Sequence, residues 1–126
     1  MSELLHRIFH ADDDPDVLGS IKSAAPYFLD GNVVLQATSV DEALAMIPDA
    51  LIEADADLAI IDGDFIEPDG VSRRNGHEIA SAIRKSGLPV AILSLSASSQ
   101  DWGDENASKR DCLDVWAEAI KRLFAK

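Results

Sequence analysis

Basic residues are scarce in this chain: 11 Lys and Arg stand against 23 Asp and Glu, a formal charge of −12. Nucleic-acid binding rests on cations facing phosphates, so this balance argues against a nucleic acid as a direct partner. It suits a protein that holds a divalent cation or meets a basic protein surface. Cysteine occurs once, at Cys112, which permits no internal disulfide and points to a cytoplasmic location. No apolar run approaches the ~18 residues of a membrane span, and the amino terminus lacks a signal-peptide core. A membrane partner is therefore not expected. Gly63 and Gly76 do not form the phosphate-cradling fingerprint of Rossmann or Walker loops. His6, His10 and His77 show no metal-ligand spacing and no nucleophile partner, and His10 reads as a half-buried strand residue. Fixed-period repeats and linker-like low-complexity tracts are also missing, so the 126 residues are read as one domain, 1–126, long enough for a full core.

What is present is an alternation of apolar strands and amphipathic helices. Arg7 to Ala11 reads as a first strand, ending abruptly in Asp12-Asp13-Asp14-Pro15-Asp16. Asp14 before Pro15 is a helix start, and Val17, Leu18, Ile21, Ala24, Ala25 and Phe28 recur at helical spacing. Val33 to Ala37 is a second strand, and Ser39 with Glu42 has capping-box spacing for a helix that Pro48 should kink or split. Residues 57 to 62 hold an uninterrupted apolar run, Leu58-Ala59-Ile60-Ile61, that ends in Asp62-Gly63-Asp64, the pattern of a strand buried on both faces. A long polar loop, 63–75, precedes a helix with Ile79, Ala80 and Ile83 inside. A fourth strand is expected from Leu88 to Leu93, with Ser94 at its carboxyl end, and a short weak strand within 105–108. Asp111 is the expected N-cap of a last helix whose stripe includes Trp116 and Phe124 as core residues. The alternation predicts an α/β sandwich around a parallel sheet.

Acidic residues follow two of these strands. If the first and third are neighbours, as right-handed crossovers allow, Asp12, Asp13 and Asp62 converge on one small volume at the carboxyl edge, where open parallel sheets bind ligands. Three carboxylates that close cannot all stay ionised without compensation. Mg²⁺, which takes one or two carboxylates plus waters and phosphate oxygens, would supply it, and Lys109 would add a second positive charge. A hydroxyl at Ser94 beside that ammonium suits a phosphoryl group. Each residue alone has a plainer reading: an acidic loop start, a strand-end serine, a solvated Lys109-Arg110 pair.

Taken together, these stretches resemble a response regulator receiver domain of two-component signalling. Ile8 to Pro15 resembles the first strand and acidic pair of that family, Leu58 to Asp62 the strand bearing its phosphoacceptor, and Asn75 to Arg84 the start of its third helix. Pro89 to Ser94 resembles the strand with the switch hydroxyl, and Lys109 to Phe124 the stretch from its lysine through its last helix. The resemblance implies a flavodoxin-like doubly wound sheet of five parallel strands, order 2-1-3-4-5. It implies that Asp62 takes phosphoryl from a histidine kinase or phosphotransfer protein, with Asp12, Asp13, Asp62 and the backbone carbonyl of Asp64 holding Mg²⁺. Ser94 and Lys109 would bind the phosphoryl oxygens. A non-enzymatic phosphoacceptor is implied, monomeric or weakly dimeric, with output through contact with a protein effector. Several positions depart from the family: an acidic Asp64, Leu95 after the switch hydroxyl, Asn106 at an aromatic position, and Arg110 in place of proline. Ser94 to Lys109 is too short for a full fourth helix and a normal fifth strand, so that helix is expected to be missing or reduced, with Trp102 covering exposed core. Two rivals stand beside this reading. One is a degenerate receiver acting as a binding module. The other is a phosphatase of the haloacid-dehalogenase type, whose opening motif Ile60 to Asp64 also resembles.

Overall fold

Side chains alternate between the two faces of a strand, and here consecutive apolar residues feed two separate cores. The computed structural model describes residues 5–98 and 100–125; Ser99, within the polar stretch after Ser94, lies outside them. Its central sheet is formed by β1 (His6–Ala11), β2 (Gly31–Ala37), β3 (Leu58–Ile61), β6 (Ala91–Ser96) and β7 (Glu105–Ser108), and β4 (Phe65–Ile66) pairs with β5 (Ser72–Arg73) in a small antiparallel ribbon. The order is β2-β1-β3-β6-β7 and every pairing in it is parallel, so the five-stranded 2-1-3-4-5 arrangement is present with the ribbon inserted after the third strand.

Ile8, Ile60 and Leu93 pack with Ile21 of α1 (Pro15–Ala24) and Ile120 of α5 (Leu113–Phe124). Their neighbours Phe9, Ile61 and Ile92 pack instead with Ala43 of α2 (Val40–Ala45), Leu51 of α3 (Asp49–Glu53) and Ile83 of α4 (His77–Ser86). All these side chains are buried. Burying each of the larger ones contributes about 1.5–3 kcal/mol, so the helices are held chiefly by this packing. Caps fix where they begin. Asp14 accepts the amide of Asp16 at 2.9 Å with Pro15 at the first helical position. Ser39 Oγ accepts the amide of Glu42 at 3.0 Å while Glu42 Oε1 accepts that of Thr38 at 2.8 Å, and each such cap is worth about 1 kcal/mol.

Pro48 splits the second helix into α2 and α3, as its missing amide requires. After α1 the chain continues as a π-helical turn, Ala25–Leu29, ending at Asp30 in the left-handed region. The long polar loop 63–75 contains a tight turn, Glu67 to Val71, closed by the Gly70 amide on Glu67 O at 2.8 Å and the Glu67 amide on Val71 O at 3.0 Å, between β4 and β5. Three local expectations are corrected. The fourth long strand starts later and runs on to Ser96, so Ser94 lies inside it. Asp111 does not cap α5; its carboxylate accepts the amide of Ser108 at 3.0 Å, and Cys112 occupies the cap position. Phe124, the last residue of α5, is 40% exposed and not core, and it stacks on His6 at the start of β1. Trp116 is half-buried against the α1/α5 core. Between β6 and β7 there is no helix among the described residues, and half-buried Trp102 packs on the core there. No helix among the described residues is long and apolar enough to cross a membrane.

Candidate functional site

The strand order reverses at β1: the chain leaves it for β2 on one side and returns to β3 on the other. A crevice opens at such a point beyond the carboxyl ends of the strands. Register brings acidic residues to it. The Asp62 amide donates to Ala11 O at 2.9 Å, so Asp62 leaves β3 directly beside Asp12 leaving β1. Asp12, Asp13 and Asp62 each place a carboxylate oxygen within 4.8 Å of the other two. Asp12 is fully buried and Asp62 is 3% exposed. Lys109, the residue after β7, reaches back with Nζ 2.8 Å from Asp12 Oδ2 and 3.1 Å from Asp62 Oδ2.

Burial is the main force raising the Asp62 carboxyl, from 3.8 to about 7, and the Asp12 charge adds to it; Lys109 and the Asp64 amide pull the other way without prevailing. Burial acts to lower Lys109, but the hydrogen bond and charge of Asp12, then the charge and hydrogen bond of Asp62, hold it above its ordinary value. The lysine is therefore a fixed cation, and one cation does not satisfy two buried carboxylates. Mg²⁺ fits this donor set. The cluster is all oxygen, and buried Asp12 Oδ2 faces Lys109 Nζ at 2.8 Å, a cation that it shares with Asp62. Asp13 is less available, since its Oδ2 accepts the Ile66 amide of β4 at 3.0 Å.

The side chains of Asp64 and Ser94 have hydrogen-bond partners outside the acidic cluster. The Asp64 carboxylate is outside the acidic cluster, held by Ser96 Oγ at 3.1 Å, Ser98 Oγ at 2.8 Å and Gln100 Nε2 at 3.2 Å, which leaves its backbone carbonyl for the ligand role. Ser94 pairs with Ile61, one residue short of Asp62, and donates its hydroxyl to Asn106 Oδ1 at 2.6 Å. The hydroxyl at the end of the strand is that of Ser96. It is buried, its carbonyl accepts the Lys109 amide at 3.0 Å, and it faces Asp64. The signal for Ser96 was the alternation Leu93-Ser94-Leu95-Ser96, which continues the strand period for two residues past the apolar run. His10, read as half-buried, is fully buried on the α1/α5 face; burial and then the Lys109 charge lower it to about 4, so it is neutral at physiological pH.

Replacing Lys109 with methionine is expected to destabilise the metal-free protein by on the order of 2 kcal/mol at pH 8, because Asp12 loses its counterion inside the core. Added Mg²⁺ should then raise the melting temperature of Lys109→Met more than that of the parent. Equal shifts in the two proteins would show that ammonium and metal do not answer the same charge.

No protein-family model and no curated protein matches the chain. Solved structures do match. The BeF3-activated DrrB receiver domain superposes with a TM-score of 0.71 at 17% identity, over 97% of this chain and 99% of that one. The signal receiver domain of the response regulator NarL from Mycobacterium tuberculosis gives 0.71 at 23% identity, over 96% of each chain. A LuxR-family two-component response regulator from Aurantimonas sp. SI85-9A1 gives 0.74 at 21%, over 98% of this chain and 86% of that one. At these identities the likeness speaks for the fold, and it agrees with the order of strands and the crevice just described: the chain has the fold of a response regulator receiver domain.

Proposed function

We propose that this protein is a phosphoacceptor that takes a phosphoryl group onto Asp62 from a phosphohistidine donor and passes the signal on by protein–protein contact. The observation that carries the reading is Asp62 at the topological switch point, between buried Asp12 and the ammonium of Lys109. An Asp62 carboxylate oxygen attacks phosphorus, an O–P bond forms as the donor's N–P bond breaks, and the electron pair leaves with the donor imidazole. Lys109 faces Asp62 Oδ2 and can hold an oxygen of the arriving group, and the Ser96 hydroxyl, which donates to Asp64 in the unmodified protein, would turn to donate another hydrogen bond. Asp12, Asp13, Asp62 and the Asp64 carbonyl would hold Mg²⁺, which neutralises the carboxylates and the incoming charge. The histidine kinase or phosphotransfer protein that donates would meet an acidic surface, consistent with the charge of −12. The protein undergoes modification and has no turnover beyond slow hydrolysis of its own acyl phosphate.

Incubation with acetyl phosphate and Mg²⁺, read by intact mass, should give one phosphoryl adduct in the parent and none in Asp62→Ala. A parent that stays unmodified, or an adduct undiminished in Asp62→Ala, removes the proposal.

A further inference from the structure

We infer that Asp64, Ser96, Ser98, Gln100 and Trp102 form a latch that holds the segment after β6 over the Asp62 turn, and that a phosphoryl group on Asp62 opens it. The inference rests on the phosphoacceptor reading above and adds the route by which the modification reaches the surface.

The latch is a chain of side-chain hydrogen bonds. Asp64 accepts from both serine hydroxyls and from Gln100 Nε2. Gln100 Nε2 also reaches Ser98 Oγ at 2.7 Å, and Gln100 Oε1 accepts the indole N–H of Trp102 at 2.6 Å. Trp102 packs on the core that contains Ile79, Ala80, Ile83 and Ile92, in the stretch between β6 and β7 that holds no helix among the described residues. Space for the amide comes from Gly63: a Cβ there would lie 2.3 Å from Gln100 Nε2. Farther along, Asp104 ties the segment to β6, accepting the Ile92 amide at 2.9 Å and taking Arg84 at 3.1 Å. The stretch carrying Gln100 and Trp102 thus has a fixed far end and a near end secured through Asp64.

Asp64 is an anion two residues from the phosphoacceptor, and its amide hydrogen-bonds Asp62 Oδ1 at 3.3 Å. A phosphoryl group brings about −1.5 to −2 charges and three acceptor oxygens. It repels the Asp64 carboxylate. It also competes for the single hydroxyl proton of Ser96, whose backbone is joined to Lys109 at the same edge. Either change breaks up the set of contacts with Asp64, Ser96 and Ser98 that together orient the Gln100 amide toward Trp102. The alternative route is closed: Asn106 is already held by Ser94 Oγ and by the Gly103 amide at 2.9 Å. The indole of Trp102 is therefore the large side chain that answers to Asp62.

The test uses the full chain with Trp116→Phe, so that Trp102 is the one remaining tryptophan. Emission and acrylamide quenching are recorded before and after acetyl phosphate and Mg²⁺, with intact mass taken on the same samples. The latch predicts that adduct formation comes with a red shift and a rise in quenching. Gln100→Ala and Gly63→Ala, each made in that background, should show the shifted emission before any adduct and little further change after it. An adduct that leaves Trp102 unaltered overturns the latch while the phosphoacceptor reading stands. Emission of unmodified Gln100→Ala that matches the parent overturns it as well. Absence of any adduct overturns both.

Discussion

Asp62→Asn is expected to stabilise the metal-free protein at pH 8 and to leave its stability almost unchanged at pH 4. The Asp62 carboxyl, raised to about 7 from 3.8 by burial and by Asp12, keeps its proton in the folded state over a range where the unfolded chain has lost it. Between those two values the folded state binds more protons, so the contribution of Asp62 to stability is full below about pH 4 and is lost as pH rises through about 7. Asparagine carries no charge at any pH and escapes that loss. Its amide oxygen can still accept the Asp64 amide, and Lys109 keeps Asp12. Local relaxation around the charge offsets part of the effect, so a gain on the order of 2 kcal/mol at pH 8 is expected, less than the full shift would give. Thermal melts of both proteins across pH 4 to 8 check the prediction. Loss of stability in Asp62→Asn at pH 8 would mean that the ion pair to Lys109 outweighs the repulsion from Asp12. Mg²⁺ works against the same cost, so it should raise the melting temperature of the parent at pH 8 and do less for Asp62→Asn.

The acidic cluster was legible because each member sits where an apolar run gives way to turn residues. Phe9-His10-Ala11 ends at Asp12 and Ala59-Ile60-Ile61 ends at Asp62, and that boundary marks the carboxyl edge of a buried parallel strand. Lys109 was legible from its place ahead of the amphipathic stripe of α5. The depth of Ser94 was not. Where a strand ends is fixed by its partner: β7 pairs Ser96 with Ser108, which carries β6 two residues beyond the expected serine. The same limit applies to His10, whose burial is set by α1 and α5 packing over β1. The split at Pro48 follows from one missing amide, whereas the network around Asp64 needs a glycine at position 63 to leave room for a side chain from the far loop. That network also bears on the phosphatase alternative. Acid–base work by Asp64 needs a carboxylate free to face a leaving group, and here it is turned into three donors.

Gly76→Ala should be the most damaging of the glycine-to-alanine changes. Gly76 is in ordinary right-handed helical conformation, so the demand is for space and not for an unusual φ. Its amide donates to Gly63 O at 3.0 Å, drawing the start of α4 against the turn that presents Asp62. A Cβ at this position would lie 1.9 Å from Asp62 O and 2.9 Å from Gly63 Cα, both backbone atoms that no rotamer change can move. Either α4 shifts outward, opening the contacts of Ile79 and Ile83, or the Asp62 turn is displaced from Asp12 and Lys109. Overpacking of this kind costs about 3 kcal/mol, a fall in melting temperature on the order of 10 °C for a domain of this size. The adduct with acetyl phosphate should form more slowly in the fraction that remains folded, because the carboxylate has moved. Gly19→Ala supplies the contrast. A Cβ there meets nothing within 4 Å, and the position is inside α1, so the change should stabilise by up to about 1 kcal/mol. Similar melting temperatures for the two variants would mean that α4 and the Asp62 turn are not in the close contact on which the geometry of the site depends.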